Sequence, residues 1–238
     1  MMLTFRDFGV VRVPGLVAER TNRVSLSAIR VVGLKLAAVC LLSVLFCLSS
    51  KSNYTVRTCG LSAAIAFASA AHAYVLFFER SGPCEDEVRV DALRTSEFSV
   101  TLVLSTILLH TIAQAAEPEN HNLFSTQAAA VLQTLLVLSV ACGRVFTKFK
   151  TTLVVLAALL WLWTTIDVLL LVGWPFSKSG HLAQEAAAVV WAVSLIGLGY
   201  PAVKLLSPKP ATKDVANALL DGVCRGGLAL YCCLSATN

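Results

Sequence analysis

Charge is scarce in this chain, and several kinds of motif are missing. Only 14% of the 238 residues are Asp, Glu, Lys or Arg, where a soluble domain carries about 25%. With 57% of its residues hydrophobic, the chain would precipitate in water unless lipid covered it. It contains no H-E-x-x-H, no G-x-S-x-G and no P-loop. The common hydrolase and nucleotide chemistries therefore have no motif here, and the sequence reads as a non-enzyme. None of the eight cysteines forms a C-x-x-C pair, which removes the usual zinc frame and argues against a metal site. No internal repeat of the kind that builds many transporters is evident. The net charge of +5 is spread over loops instead of one face, which argues against nucleic acid as a partner.

What remains is apolar helix. Spans of about 20 residues cross a bilayer, and seven are expected, at about 28–49, 56–78, 91–112, 124–142, 151–172, 181–206 and 214–234. The expected fold is an all-α membrane protein, a seven-transmembrane-helix bundle. It fills residues 28–238 behind a polar, Arg-bearing tail at 1–27, with no room for a soluble catalytic domain. Asp7 and Glu19 weigh against reading that tail as a transit peptide. Turn-formers separate the spans, as in Ser81-Gly82-Pro83-Cys84 and Ser207-Pro208-Lys209-Pro210. Cys232 and Cys233, near the end of the last span, are candidates for acylation.

Loop cations set orientation. Arg6, Arg12, Arg20, Arg23, Arg80, Arg89, Arg144, Lys148, Lys150, Lys209 and Lys213 fall on the N-terminal side, against Lys51, Arg57 and Lys178 on the other. This predicts an N terminus on the cytoplasmic side of a membrane the sequence does not specify.

Ionisable residues inside spans are costly and point to function. Arg94, Glu97 and Thr101 fall at i, i+3 and i+7, on one face of the third helix. Asp221 and Arg225, at i and i+4, share a face of the seventh. If the faces meet, two cations balance two carboxylates, either as a polar site or as an ion-pair network that fixes helix register. Asp167, deep in the fifth span, is expected to pair with a polar neighbour or stay uncharged. His72, flanked by alanines, reads as a satisfied interior group. Glu185 and His110, near span ends, are expected to reach water, and Lys204 to snorkel to the interface.

Three stretches resemble the microbial rhodopsin superfamily. Arg94-Thr95-Ser96-Glu97-Phe98-Ser99-Val100-Thr101 is similar to its Arg-x-x-carboxylate-aromatic pattern, whose carboxylate is the counterion of the retinal Schiff base. Gly199-Tyr200-Pro201 is similar to its Tyr-Pro element. Asp221-Gly222-Val223-Cys224-Arg225-Gly226-Gly227 is similar to its Asp-x-x-x-Lys stretch, whose lysine binds retinal. The resemblance implies a seven-helix retinal-protein scaffold, of type 1 by Tyr200 and Asp221, or of the inverted heliorhodopsin branch by the Glu97 counterion and the loop charges. Arg225 stands in the lysine's place, Leu108 where pumps carry a cytoplasmic carboxylate, and Gly197 and Lys204 where tryptophans line the retinal pocket.

A guanidinium stays protonated and is a poor imine former. The expected function is thus a rhodopsin-like membrane protein without covalent retinal, in a structural, sensory or interaction role. The alternatives are a photoactive protein whose retinal attaches to a displaced lysine, Lys204 or Lys35, and an accessory subunit of a larger membrane complex. Expected partners are membrane lipid and a second copy or a larger assembly.

Overall fold

The computed structural model describes residues 14–81, 87–116, 123–172, 181–200, 203 and 210–235. The helices are α1 (Pro14–Ser49), α2 (Asn53–Ser81), α3 (Glu87–Ala116), α4 (Leu123–Val145), α5 (Lys150–Val172) and α6 (His181–Gly197), then a last column. That column runs as α7 (Pro210–Leu220), a π-helical segment (Asp221–Gly227) and α8 (Leu228–Ser235). Four described helices are long and apolar enough to cross a membrane, at 23–49, 53–81, 92–112 and 211–235, and shorter apolar helices lie at 127–140, 151–167 and 184–197. These seven columns form an integral, multi-pass membrane bundle.

Short connections make sequence neighbours pack antiparallel. Each helix from α1 to α6 packs on the next, while α7 closes against α1 and α8 against α2. Two boundaries differ from the sequence expectation. α1 starts at Pro14, so the second half of the expected tail at 1–27 is helix, and residues 1–13 lie outside the described residues. Proline suits a first helical position, and no Gly or Pro between 16 and 32 stops the helix. Its 36 residues span about 54 Å, well beyond a hydrocarbon core of about 30 Å. At the other boundary, α6 is interrupted after Gly197 by a turn at Leu198, whose amide donates to the Leu195 carbonyl at 3.2 Å. Residues 199, 200 and 203 are again helical, and the rest of the expected span to 206 lies outside the described residues.

The bundle is polar inside and apolar outside, as a protein solvated by lipid must be. Leu34, Leu41, Leu48, Phe67, Tyr74, Trp163 and Leu170 point outward, whereas Ser43, Ser62, Ser69, Thr101 and Thr164 are buried. Several buried hydroxyls are satisfied within their own helices: Ser43 donates to the Val39 carbonyl at 2.8 Å, Thr106 to Leu102 at 2.9 Å and Thr111 to Ile107 at 2.8 Å. One end of the interior is plugged by apolar side chains, with Ile65, Leu108, Leu109, Ile112, Val190, Leu228 and Cys232 packed together. Leu108 is fully buried there. Cys232 and Cys233 are each 1% exposed, and the Cys233 thiol lies 2.9 Å from Ser43 Oγ. That burial corrects the expectation of acylation: the thiols face helix neighbours, not lipid or water.

Small residues let the helix backbones approach. A Cβ placed on Gly33 would sit 3.0 Å from the Ala73 Cβ, which cannot swing away, whereas a Cβ on Gly60 would meet nothing within 4 Å. Gly33→Val is therefore expected to separate α1 from α2 and cost about 1–3 kcal/mol. Gly60→Ala, on an open face, is expected to be neutral or to stabilise by up to about 1 kcal/mol. Melting of the two variants in detergent checks the pair; equal melting temperatures would contradict the close contact.

Candidate functional site

The interior charges fall into two groups along the axis. In the central group, the Arg225 guanidinium donates through Nη1 to Glu97 Oε1 and lies 2.9 Å from Asp221 Oδ1. The same nitrogen donates to Ser69 Oγ at 3.4 Å, and Ser69 in turn donates to Glu97 Oε1 at 2.9 Å. The Tyr200 hydroxyl donates to Asp221 Oδ1 at 2.6 Å, and the guanidinium carbon stands 5.4 Å from the centre of the Tyr200 ring. Arg225 is thus held by two carboxylates, a hydroxyl and an aromatic face while only 5% exposed. A buried guanidinium needs that many partners to offset its desolvation.

The π-helical segment presents these groups. Its wider turn covers Asp221–Gly227, the kind of local distortion that often marks a site. Here it carries both Asp221 and Arg225. Gly226 keeps it close to α1, since a Cβ there would touch Leu36 at 3.4 Å.

The second group lies nearer the end of the bundle where α2 finishes and α3 and α7 begin. Asp214 accepts from Arg80 Nε at 2.8 Å and also pairs with Arg94. This corrects the sequence reading in two ways. Arg94 shares a helix with Glu97 but pairs with Asp214 on α7, and Arg80, taken as a loop cation, is 3% exposed. An acidic residue within reach, at the start of α7, holds both arginines inside the bundle. Across the two groups three arginines face three carboxylates.

The other expected residues sort as follows. The Thr101 hydroxyl donates to the Glu97 carbonyl at 2.9 Å and so sits beside the central group without pairing with its charges. His72 is partly buried on α2. His110, expected to reach water, is 1% exposed. Its Nδ1 lies 2.9 Å from the Thr106 carbonyl and its Nε2 3.9 Å from Asp167. It is buried because α3 runs to Ala116, which keeps position 110 inside the helix packing. Asp167 thus finds a polar neighbour, with 42% of its own side chain exposed. Glu185 is exposed, and Lys35 lies exposed on the outer face of α1. Lys204 lies outside the described residues.

Beyond Arg225 lies a cavity of about 100 Å³ whose wall includes Phe98, Thr101, Gln133, Trp161, Thr164, Gly197, Tyr200 and Arg225. Phe98 stands between Trp161 and Tyr200, with ring centres 5.5 and 5.7 Å away. Among the described residues, no lysine lines this cavity.

No protein-family model matches the sequence, and no curated protein sequence matches it either. Solved structures do match. The viral rhodopsin OLPVRII superimposes with a TM-score of 0.73 at 11% identity, over 90% of this chain and 98% of that one. A proton-pumping rhodopsin from the marine alga Acetabularia acetabulum gives 0.70 at 14%, over 90% and 94%. A light-driven proton pump from Leptosphaeria maculans gives the same values. The chain has the microbial rhodopsin fold. Identities this low carry the rhodopsin architecture and nothing of its chemistry.

Four participants in the rhodopsin-fold core escaped sequence reading as site residues: Ser69, Gln133, Arg80 and Asp214. Ser69 and Gln133 are uncharged residues in apolar runs, and Arg80 and Asp214 sit at span edges. Only a buried arginine signals a need for partners.

Arg225→Ala leaves Asp221 and Glu97 buried without their cation, and is expected to destabilise the bundle by about 3–5 kcal/mol. The double variant Arg225→Ala with Glu97→Gln is expected to lose clearly less than the sum of the single losses, because the pair is coupled. Melting of the four proteins in detergent measures both; strict additivity would mean that Arg225 and Glu97 do not interact.

Proposed function

We propose that this chain is a rhodopsin-fold membrane protein that works without covalent retinal, as a structural, sensory or interaction component and not as an enzyme. The observation that carries the reading is Arg225. In the superfamily the sequence resembles, a lysine in this place forms the retinal imine. Here a permanently protonated guanidinium faces Glu97 and Asp221. It supplies the positive charge that a protonated Schiff base would supply, so the polar core keeps its balance while attachment chemistry is lost. The fully buried Leu108, inside the apolar plug, supports the same reading, since a leucine side chain carries no proton.

The solved neighbours suggest a second reading, because two of them are proton pumps. It is a photoactive protein with retinal on a displaced lysine, and Lys204 is its candidate. Lys35 is disfavoured by its outward position. Membrane lipid is the assured surrounding, and a second copy or a larger membrane assembly is the proposed partner. The loop charges favour a cytoplasmic N terminus even with Arg80 removed from the count.

The deciding experiment is an absorption spectrum of the purified chain after incubation with all-trans retinal. The expected spectrum is that of free retinal. A red-shifted visible band lost in Lys204→Ala would replace this reading with the photoactive one.

A further inference from the structure

The outer face of α1 changes chemistry along its length. Arg23, Ser27 and Arg30 are exposed and stand at i, i+4 and i+7, on one side of the helix. The same side continues through Leu34, Leu41 and Leu45, each more than half exposed. The opposite side of α1 is held inward: Ser25 and Leu36 are buried, and Ile29 packs with Leu76 and Val90. The rotation of the helix is therefore fixed, and the stripe faces out of the bundle.

Depth places the chemical boundary. α1 ends at Ser49. A hydrocarbon core of about 30 Å takes up about 20 residues at about 1.5 Å each. Counted back from Ser49, that length reaches about residue 30. Arg30 thus stands at the edge of the core. Arg23 lies about 10 Å farther toward water, with Ser27 between them. From Leu34 to Leu45 the stripe runs about 16 Å, close to half the core thickness, about 15 Å. The side chains of Ser27 and Arg30 have no hydrogen-bond or ion-pair partner among the described residues. A cation so placed at the edge of lipid attracts an anion of the headgroup layer.

The stripe has the layout of one phospholipid: donors for a phosphate, then apolar surface for an acyl chain one leaflet long. Arginine suits phosphate because its planar fork can bind two oxygens at once. A second copy of this chain is a poor occupant. Two copies in one bilayer share an orientation, so a symmetric contact through this stripe would set Arg23 and Arg30 against their own images. A soluble anion would meet the arginines and leave the leucines uncovered.

We propose that this stripe of α1 is a binding site for an anionic glycerophospholipid. Arg23, Ser27 and Arg30 hold its phosphate, and one acyl chain lies along Leu34, Leu41 and Leu45. The loop charges favour the cytoplasmic side for this end of the bundle, where anionic lipids are concentrated. The site stands whether or not the interior holds retinal.

Native mass spectrometry of the full chain reads bound lipid and oligomeric state together. The probes are phosphatidylglycerol and phosphatidylcholine with the same acyl chains. Phosphatidylglycerol is expected to bind tighter by about fivefold or more. Arg23→Gln and Arg30→Gln are each expected to weaken it about fivefold and to affect phosphatidylcholine less. Both residues are exposed, so melting in detergent is expected to stay unchanged and the loss reads the site itself. Arg57→Gln, at an exposed cation on the first turns of α2 at the other end of the bundle, is expected to change neither lipid. Equal binding of the two lipids, or an equal loss in Arg57→Gln, overturns the proposal. So does displacement of phosphatidylglycerol by an equal concentration of glycerol phosphate, which would make the site one for a soluble anion. A dimer lost in Leu41→Ala would give the stripe to a second copy and overturn it as well.

Discussion

A guanidinium buried at the centre of a membrane bundle sets the terms for everything around it. Arg225 cannot shed its proton, and lipid offers it no water. The fold must supply carboxylates, and it does so from two helices: Glu97 on α3 and Asp221 one turn earlier on the same column. Those carboxylates then need donors of their own. Ser69 serves Glu97 and Tyr200 serves Asp221, which draws α2 and the end of α6 into the same network. One charge thus fixes the relative positions of four helical columns.

This dependence matters because apolar contacts alone specify little inside a membrane. Leucine is as comfortable against a lipid tail as against another leucine, so the outer faces do not choose one helix arrangement over another. Directional polar contacts and close-packed small residues do. Asp214, holding Arg80 and Arg94, repeats the device nearer one end of the bundle, and Gly33 against Ala73 adds steric precision between α1 and α2. The apolar plug around Leu108 fills the opposite end without contributing direction.

The same interior that resembles a retinal site in plan differs from it in chemistry. The space next to Arg225 is small, bounded by an aromatic trio and lined by back-bonded threonines and a fixed glutamine. At about 100 Å³ the described space is smaller than the pockets of about 300 Å³ and above that larger ligands fill.

Composition and periodicity by themselves determined that the chain lives in a membrane, that it forms seven apolar helices, and that Asp221 and Arg225 share a helix face. These are local properties, set by hydropathy within a span and by the 3.6-residue turn. The resemblance in three short stretches also pointed to the right fold. Only the tertiary structure decided who meets whom. Glu97 and Arg225 are 128 positions apart, and Arg80 and Asp214 are 134 apart. Helical phase can place Arg94 and Glu97 on one side of α3, but it cannot say that Asp214 claims the first and Arg225 the second. The cavity, likewise, is a gap between helices, set by how Gln133, Thr164 and Gly197 converge from α4, α5 and α6. No segment of sequence contains a space that exists only between segments.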